Sequence, residues 1–209
     1  YITQPIYSLS CQTVPEFSCI GLGGLYLTGL ERAIVVSMGT GTAINYAERH
    51  KQTVYLGGTG VGGGTLMGLS KLLLGMDNIN HIIHLAKDGD LHNIDLRIRD
   101  MTNSDMLAKM PSEMTAANFG KISDLASSAD IALGVINMVF ETIGMCAVFN
   151  ARNYHIRDIV LVGNLTNIPQ AEEFFAKLSE MFQVNFIIPK NAQFGPVIGA
   201  ALSALPELQ

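Results

Sequence analysis

Two glycine clusters hold the chemistry most visible in this 209-residue sequence. The first, Gly39-Thr40-Gly41-Thr42, follows a short β-branched run at 33–38, and the second, Gly57-Gly58-Thr59-Gly60-Val61-Gly62-Gly63-Gly64-Thr65, precedes leucines at helical spacing. Without Cβ atoms in the way, backbone N–H groups in such loops can approach an anion closely, and a helix N-terminus behind the second loop adds its dipole. One such loop also serves as a tight turn; a pair at this spacing points to a polyphosphate ligand. Neither is a Walker A loop, because no Gly-Lys-Ser/Thr follows, and the first does not complete GxGxxG, because Ile44 stands where the third glycine belongs.

Other reactive side chains are scattered. Glu16, in Thr13-Val14-Pro15-Glu16-Phe17, reads first as a carboxylate in the first turn of a helix, where it suits the dipole. His81, His84 and Asp88 share a helical spacing that could hold a metal, but the surrounding polarity reads as solvated surface. Cys11, Cys19 and Cys146 form no CxxC pair and no even framework, which indicates reduced thiols, with Cys19 and Cys146 as packing residues. Lys121 and Arg152 are single surface charges.

These residues must be positioned by an alternating set of elements. Thr13 or a neighbour caps a predicted helix with Pro15 near its first position and its end near residue 30. Residues 33–38, 43–46 and 53–56 read as strands joined by short glycine-rich turns, hence antiparallel. Leucine periodicity then predicts helix from 66 to 74, continued in the same period over 80–87. Residues 88–113 form a polar, turn-rich excursion suited to a lid or an interface rather than core. Helices are predicted at 115–125, 131–151, 171–181 and 194–202, with strands at 159–162 and 184–188, so the second half should pair in parallel.

Composition narrows the class. Hydrophobic residues make up 48% and charged residues 15%, so the chain folds compactly. A net charge of −5 supplies no basic stripe for nucleic acid. The apolar stretch 131–149 is long enough for a membrane, yet Asn137 and Glu141 at its middle predict a buried central helix instead. The sequence opens at Tyr1 without a basic and apolar leader, and it is expected to be a piece of a longer, cytoplasmic chain.

Taken in order, the motifs are more specific than any one of them. Pro15-Glu16-Phe17, residues 21–26 (GLGGLY), residues 38–42 (MGTGT), residues 58–65, Gly89-Asp90 with Ile94-Asp95-Leu96, residues 115–120 (TAANFG), Val162-Gly163-Asn164 and residues 194–200 (FGPVIGA) together resemble bacterial type II pantothenate kinases, of the actin-like, acetate and sugar kinase and heat-shock ATPase superfamily. The resemblance implies an α/β chain of the actin-like ATPase (ribonuclease H-like) fold, a mixed sheet flanked by helices with the first domain largely missing. Residues 1–30 would be the remnant of the N-terminal ATPase domain, and 31–209 the C-terminal ATPase domain. The implied activity is ATP-dependent phosphorylation of pantothenate to 4′-phosphopantothenate in coenzyme A biosynthesis, by a cytoplasmic homodimer using Mg2+.

Carried over residue by residue, Glu16 matches the catalytic carboxylate, while Gly39, Thr40, Gly41 and Thr42 with Gly58, Thr59, Gly60, Gly62, Gly63, Gly64 and Thr65 match phosphate-binding loops. Gly163 and Asn164 fall at the adenosine turn, and Ala116 and Ala117 near the substrate wall. Ala43 and Tyr55 stand at pantothenate-contacting positions where family members usually carry Ser and Arg. The family's opening Asp-x-Gly-Gly-Thr loop, which grips phosphate and magnesium, is not among these residues, and no magnesium ligand is assigned. The alternative is a non-catalytic or differently specific nucleotide-binding module, or small-molecule kinase, of the same fold.

Overall fold

A computed structural model of the chain describes residues 7–9, 11–101 and 111–205. In chain order the elements are α1 (Glu16–Thr28), β1 (Arg32–Met38), β2 (Thr42–Glu48), β3 (Val54–Thr59), α2 (Gly63–Leu74), α3 (Ile79–Ala86), β4 (Leu96–Arg97), α4 (Ile98–Met101), β5 (Thr115–Ala117), α5 (Ser128–Asn153), β6 (Asp158–Val162), α6 (Gln170–Phe182), β7 (Asn185–Ile187) and α7 (Gly195–Ser203). A five-stranded sheet of order β3-β2-β1-β6-β7 organises them. β1, β2 and β3 form an antiparallel meander, and β6 and β7 join in parallel beyond β1. This is the mixed α/β sheet flanked by helices that the sequence implied.

β1 is the sheet's central strand, and its run Ala33–Val36 is fully buried because helices cover both faces. On one face α5 packs against β1 and β6, flanked by α2, α3 and α6. Ser127 starts this helix: its hydroxyl accepts from the Asp130 N–H at 3.1 Å, while the Asp130 carboxylate accepts from the Ser127 N–H at 2.8 Å. Phe140 and Phe175 are fully buried there, with Phe174 and Phe186 completing a ring cluster whose neighbouring centroids lie 5.0 to 5.7 Å apart. By length and composition α5 could cross a membrane. Its placement is instead the buried central helix expected, with Asn137 and Glu141 hydrogen-bonded to the β4–β5 region.

The other face is covered by α1, on which α7 packs in antiparallel fashion. Their backbones touch: a Cβ on Gly23 would land on the Gly195 carbonyl oxygen, and one on Gly199 on the Cys19 carbonyl oxygen.

Four local expectations change. Pro15 is the N-cap rather than the first helical residue, with extended backbone at ψ 125°. The leucine period of 66–87 is broken by Gly75, which turns left-handed at φ 69° and separates α2 from α3. Residues 115–125 are not a helix. Thr115–Ala117 pairs with Leu96–Arg97, and Phe119, at φ +58°, donates its N–H to Asp95. The 88–113 excursion is partly core, since Ile94 and Asp95 are fully buried; residues 102–110 of it lie outside the described residues.

Candidate functional site

Strand pairing sets the site's frame. Met38 faces Thr42, Thr42 faces Thr59 and Ser37 faces Val162, so the turn 39–41, the turn 60–62 and Gly163 all open at one sheet edge. In open α/β sheets ligands bind beyond the carboxyl ends of parallel strands, which here are β1, β6 and β7. Gly163 is required by geometry, because its φ is +97° and a Cβ would lie 2.7 Å from the Met38 carbonyl oxygen. Asn164 follows it on the exposed rim.

The two glycine loops are laced together. Gly63 N–H donates to the Gly39 carbonyl and Gly64 N–H to the Thr40 carbonyl, both at 2.8 Å. Thr42 Oγ1 donates to the Val61 carbonyl at 2.8 Å and Thr65 Oγ1 to the Gly60 carbonyl at 2.9 Å. A Cβ on Gly62 would lie 2.7 Å from the Thr40 carbonyl oxygen. Two of the amides that the sequence marks for an anion are thus spent on holding one loop against the other. Thr40, Gly58, Gly60 and Gly64 remain exposed along the rim.

On the α1 face, register places Ser37, Ala43 and Gly58 abreast across β1, β2 and β3. The next row is Val35, Asn45 and Tyr55. Phe17, in the first turn of α1, stacks on Tyr55 with centroids 4.1 Å apart and rings 11° from parallel. Exposed Glu16 precedes it, so Glu16, Ala43 and Tyr55 share this face. Ala116 and Ala117 do not. Their strand packs on the α5 side, where they line a cavity of about 1160 Å³ together with Arg97, Glu141 and Phe174. Within one chain the sheet separates them from Ala43 and Tyr55.

The sequence reading missed a buried polar network beside that cavity. Asp95 accepts from the Phe119 N–H and from Asn137 Nδ2, both at 2.9 Å, and Glu141 accepts from Asn118 Nδ2 at 2.7 Å. Burial raises the pKa of both carboxyls above the ordinary carboxylate range. The available signal was Asp95 inside an apolar triplet and two polar residues inside the apolar stretch of α5.

A magnesium ion finds no ready cage here. Among the described residues no three His, Cys, Asp or Glu are grouped to hold a metal, and neither glycine loop contains a carboxylate. His81, His84 and Asp88 are exposed, as the polarity around them implied.

Comparison with known proteins agrees with the motif series. The Fumble family model matches residues 32–185. A type II pantothenate kinase of Oceanobacillus iheyensis is 33% identical over 201 residues, covering 92% of this chain and 74% of that protein. Another, from Bacillus cereus strain G9842, is 34% identical over 175 residues, covering 82% and 63% respectively. One from Bacillus anthracis is 33% identical over 171 residues, covering 77% and 61%. The chain therefore spans between 61% and 74% of the length of these three relatives. Ethanolamine utilization protein EutJ from Carboxydothermus hydrogenoformans superposes over 87% of this chain and 52% of its own, at TM-score 0.48 and 18% identity, too distant a likeness to carry an argument. The family match covers most of the meander, the glycine loops and the central helix, and on that ground the chain belongs to the Fumble family, with the type II pantothenate kinases.

Proposed function

We propose that the protein carrying this chain transfers the γ-phosphoryl group of ATP to the primary hydroxyl of pantothenate, the step that yields 4′-phosphopantothenate for coenzyme A. The observation that carries this reading is the meeting of three glycine turns at the carboxyl edge of the sheet. The rim of 39–42 and 58–65 takes the phosphates, and the turn at Gly163 and Asn164 takes the adenosine. Glu16 accepts the hydroxyl proton as the hydroxyl oxygen bonds to the γ-phosphorus. The bond from that phosphorus to the β,γ-bridging oxygen breaks, and ADP leaves with the oxygen. Phosphoryl transfer depends on positioning and charge stabilisation, which suits rigidly laced loops.

Mg2+ belongs to the reading as the nucleotide's companion, held chiefly by phosphate and water. No step is routed through it. The reading keeps residues 1–30 as a remnant of the N-terminal ATPase domain and 31–209 as the C-terminal one, with α1 packed on the sheet of the latter. The reading includes a homodimer: Ala116 and Ala117 lie across the sheet from Ala43 and Tyr55, and a second copy would have to supply them to one acceptor site. It also includes a cytoplasmic location, which the three free cysteines support.

The test is Glu16→Gln in the full-length polypeptide. Turnover should fall by roughly 10²–10⁴ while ATP affinity, measured by calorimetry, stays unchanged. An equal loss of ATP binding would make Glu16 a structural residue.

A further inference from the structure

The strand that carries Ala116 and Ala117 is too small to hold itself in place. It is three residues long, its ladder partner among the described residues is the two-residue β4, and the register shifts between Leu96 and Arg97. A two-stranded ribbon of this size is marginal in water, yet it presents exposed Ala116 at the wall of the α5-side cavity. The backbone just beyond it is also unfavourable: Phe119 sits at φ +58°, in the left-handed region that a bulky side chain rarely adopts. Such a conformation persists only where the surroundings impose it.

Asp95 imposes it. Its side chain is fully buried, with Oδ1 accepting the Phe119 N–H and Oδ2 accepting from Asn137 Nδ2, both at 2.9 Å. Asn137 belongs to α5, the helix packed on β1 and β6, so one carboxyl ties the ribbon to the core. Further bonds follow from the chain path it fixes. Asn118 Nδ2 donates to Glu141 at 2.7 Å, the Gly120 N–H to the Ala117 carbonyl at 3.1 Å and the Lys121 N–H to the Ile94 carbonyl at 2.9 Å. Burying a carboxyl is costly, and burial raises the pKa of this one above the ordinary range, so what Asp95 supplies is a hydrogen-bond acceptor rather than a charge. Ala116, Ala117, Asn118 and Asn137 line the cavity, whereas Asp95 lies behind them.

We propose that Asp95 is a positioning residue for phosphoryl transfer: by holding Phe119 left-handed and fastening it to Asn137, it fixes Ala116 and Ala117 at the wall of the acceptor site without touching the acceptor. This rests on the reading of Ala116 and Ala117 as part of a shared acceptor site. When the carboxyl is removed, the peptide between Asn118 and Phe119 relaxes towards ordinary backbone angles, Asn118 leaves Glu141, and Ala117 loses its pairing with Leu96. The nucleotide turns belong to the five-stranded sheet and not to this ribbon, so ATP binding is unaffected.

The experiment is steady-state kinetics of the full-length polypeptide with pantothenate and ATP. Asp95→Ala should raise the KM for pantothenate about tenfold or more, with kcat within about twofold and the KM for ATP unchanged. Asp95→Asn should bring the pantothenate KM back to within about threefold of the wild type, because its Oδ1 still accepts from Phe119 and Asn137 can turn its amide to meet the new Nδ2. Hydrogen exchange should show residues 115–121 opening faster in Asp95→Ala and recovering in Asp95→Asn, with β1 unchanged in both. If the alanine variant does not fold, Asn137→Leu replaces it, removing one arm of the tie, and should raise the pantothenate KM by a smaller factor with the same exchange pattern. An unchanged pantothenate KM, a loss shared equally by kcat and the KM for ATP, or an asparagine variant no better than alanine would overturn the inference and leave the kinase reading standing. Failure of the wild type to phosphorylate pantothenate would instead overturn the kinase reading together with this one.

Discussion

The two faces of the sheet are built on opposite principles. The α5 face gains its stability from bulk, with Ile136, Phe140, Ile143 and Phe175 buried in one continuous cluster. The α1 face gains close approach from glycines: Gly24 lies against Val35, Gly21 against Thr53, and Gly23 and Gly199 against facing backbone. Only a small apolar cluster around Ile20, Val35 and Val160 lies beneath. Bulk packs α5 tightly on the sheet, and the cavity on that side opens instead between α5, α6 and the β4–β5 pair. The sparse face tolerates an unpaired amide, that of Asn45, and it is also the face that bears Glu16.

The largest effect should come from the bulky face. Phe140→Ala removes a fully buried ring and should cost about 3–5 kcal/mol in denaturant unfolding. Gly199→Ala should cost less, about 1–3 kcal/mol, because the α1–α7 seam can yield by shifting one helix on a thin core. Equal losses would mean that the seam holds as much of the fold as the core does, and the contrast between the faces would fail.

The smallest effect sharpens the comparison through pH. Burial raises the carboxyls of Asp95 and Glu141 on the α5 side, so the folded chain binds protons that the unfolded chain has released. Their contribution is fully present below the unfolded carboxylate pKa and is lost as pH rises through the raised folded values. Asp95→Asn should flatten that part of the stability curve, read as melting temperature across the acidic-to-neutral range. An unchanged slope would place the proton uptake elsewhere.

Much of this was legible where local and tertiary signals agree. The β-branched run of β1 and the glycines that end it mark a buried strand and its turn, and the apolar run 131–149, interrupted only by Asn137 and Glu141, marks a core helix. Where they disagree, the sequence misleads. Thr115-Ala116-Ala117 has the composition of a helix, but pairing with the distant Leu96 and Arg97, along a chain stapled by Asp95, overrides it. The glycine loops were visible, but not that Gly63 and Gly64 spend their amides on Gly39 and Thr40, because that depends on how two turns meet. Asn45 gave no signal at all. A polar residue in a short strand is ordinary until the strand's neighbours leave it dry.

The touching backbones of α1 and α7 have a consequence for reading variation in this protein. In a library of single substitutions scored by growth, Gly23, Gly195 and Gly199 should stand out beside the nucleotide loops, since a Cβ at each would overlap a neighbouring atom and force the seam to shift. Such a stripe would look like a second active centre running along two helices. Scoring the same library separately for cellular abundance and for specific activity would dissolve it, because the seam's losses belong to the first score and those of Glu16 to the second.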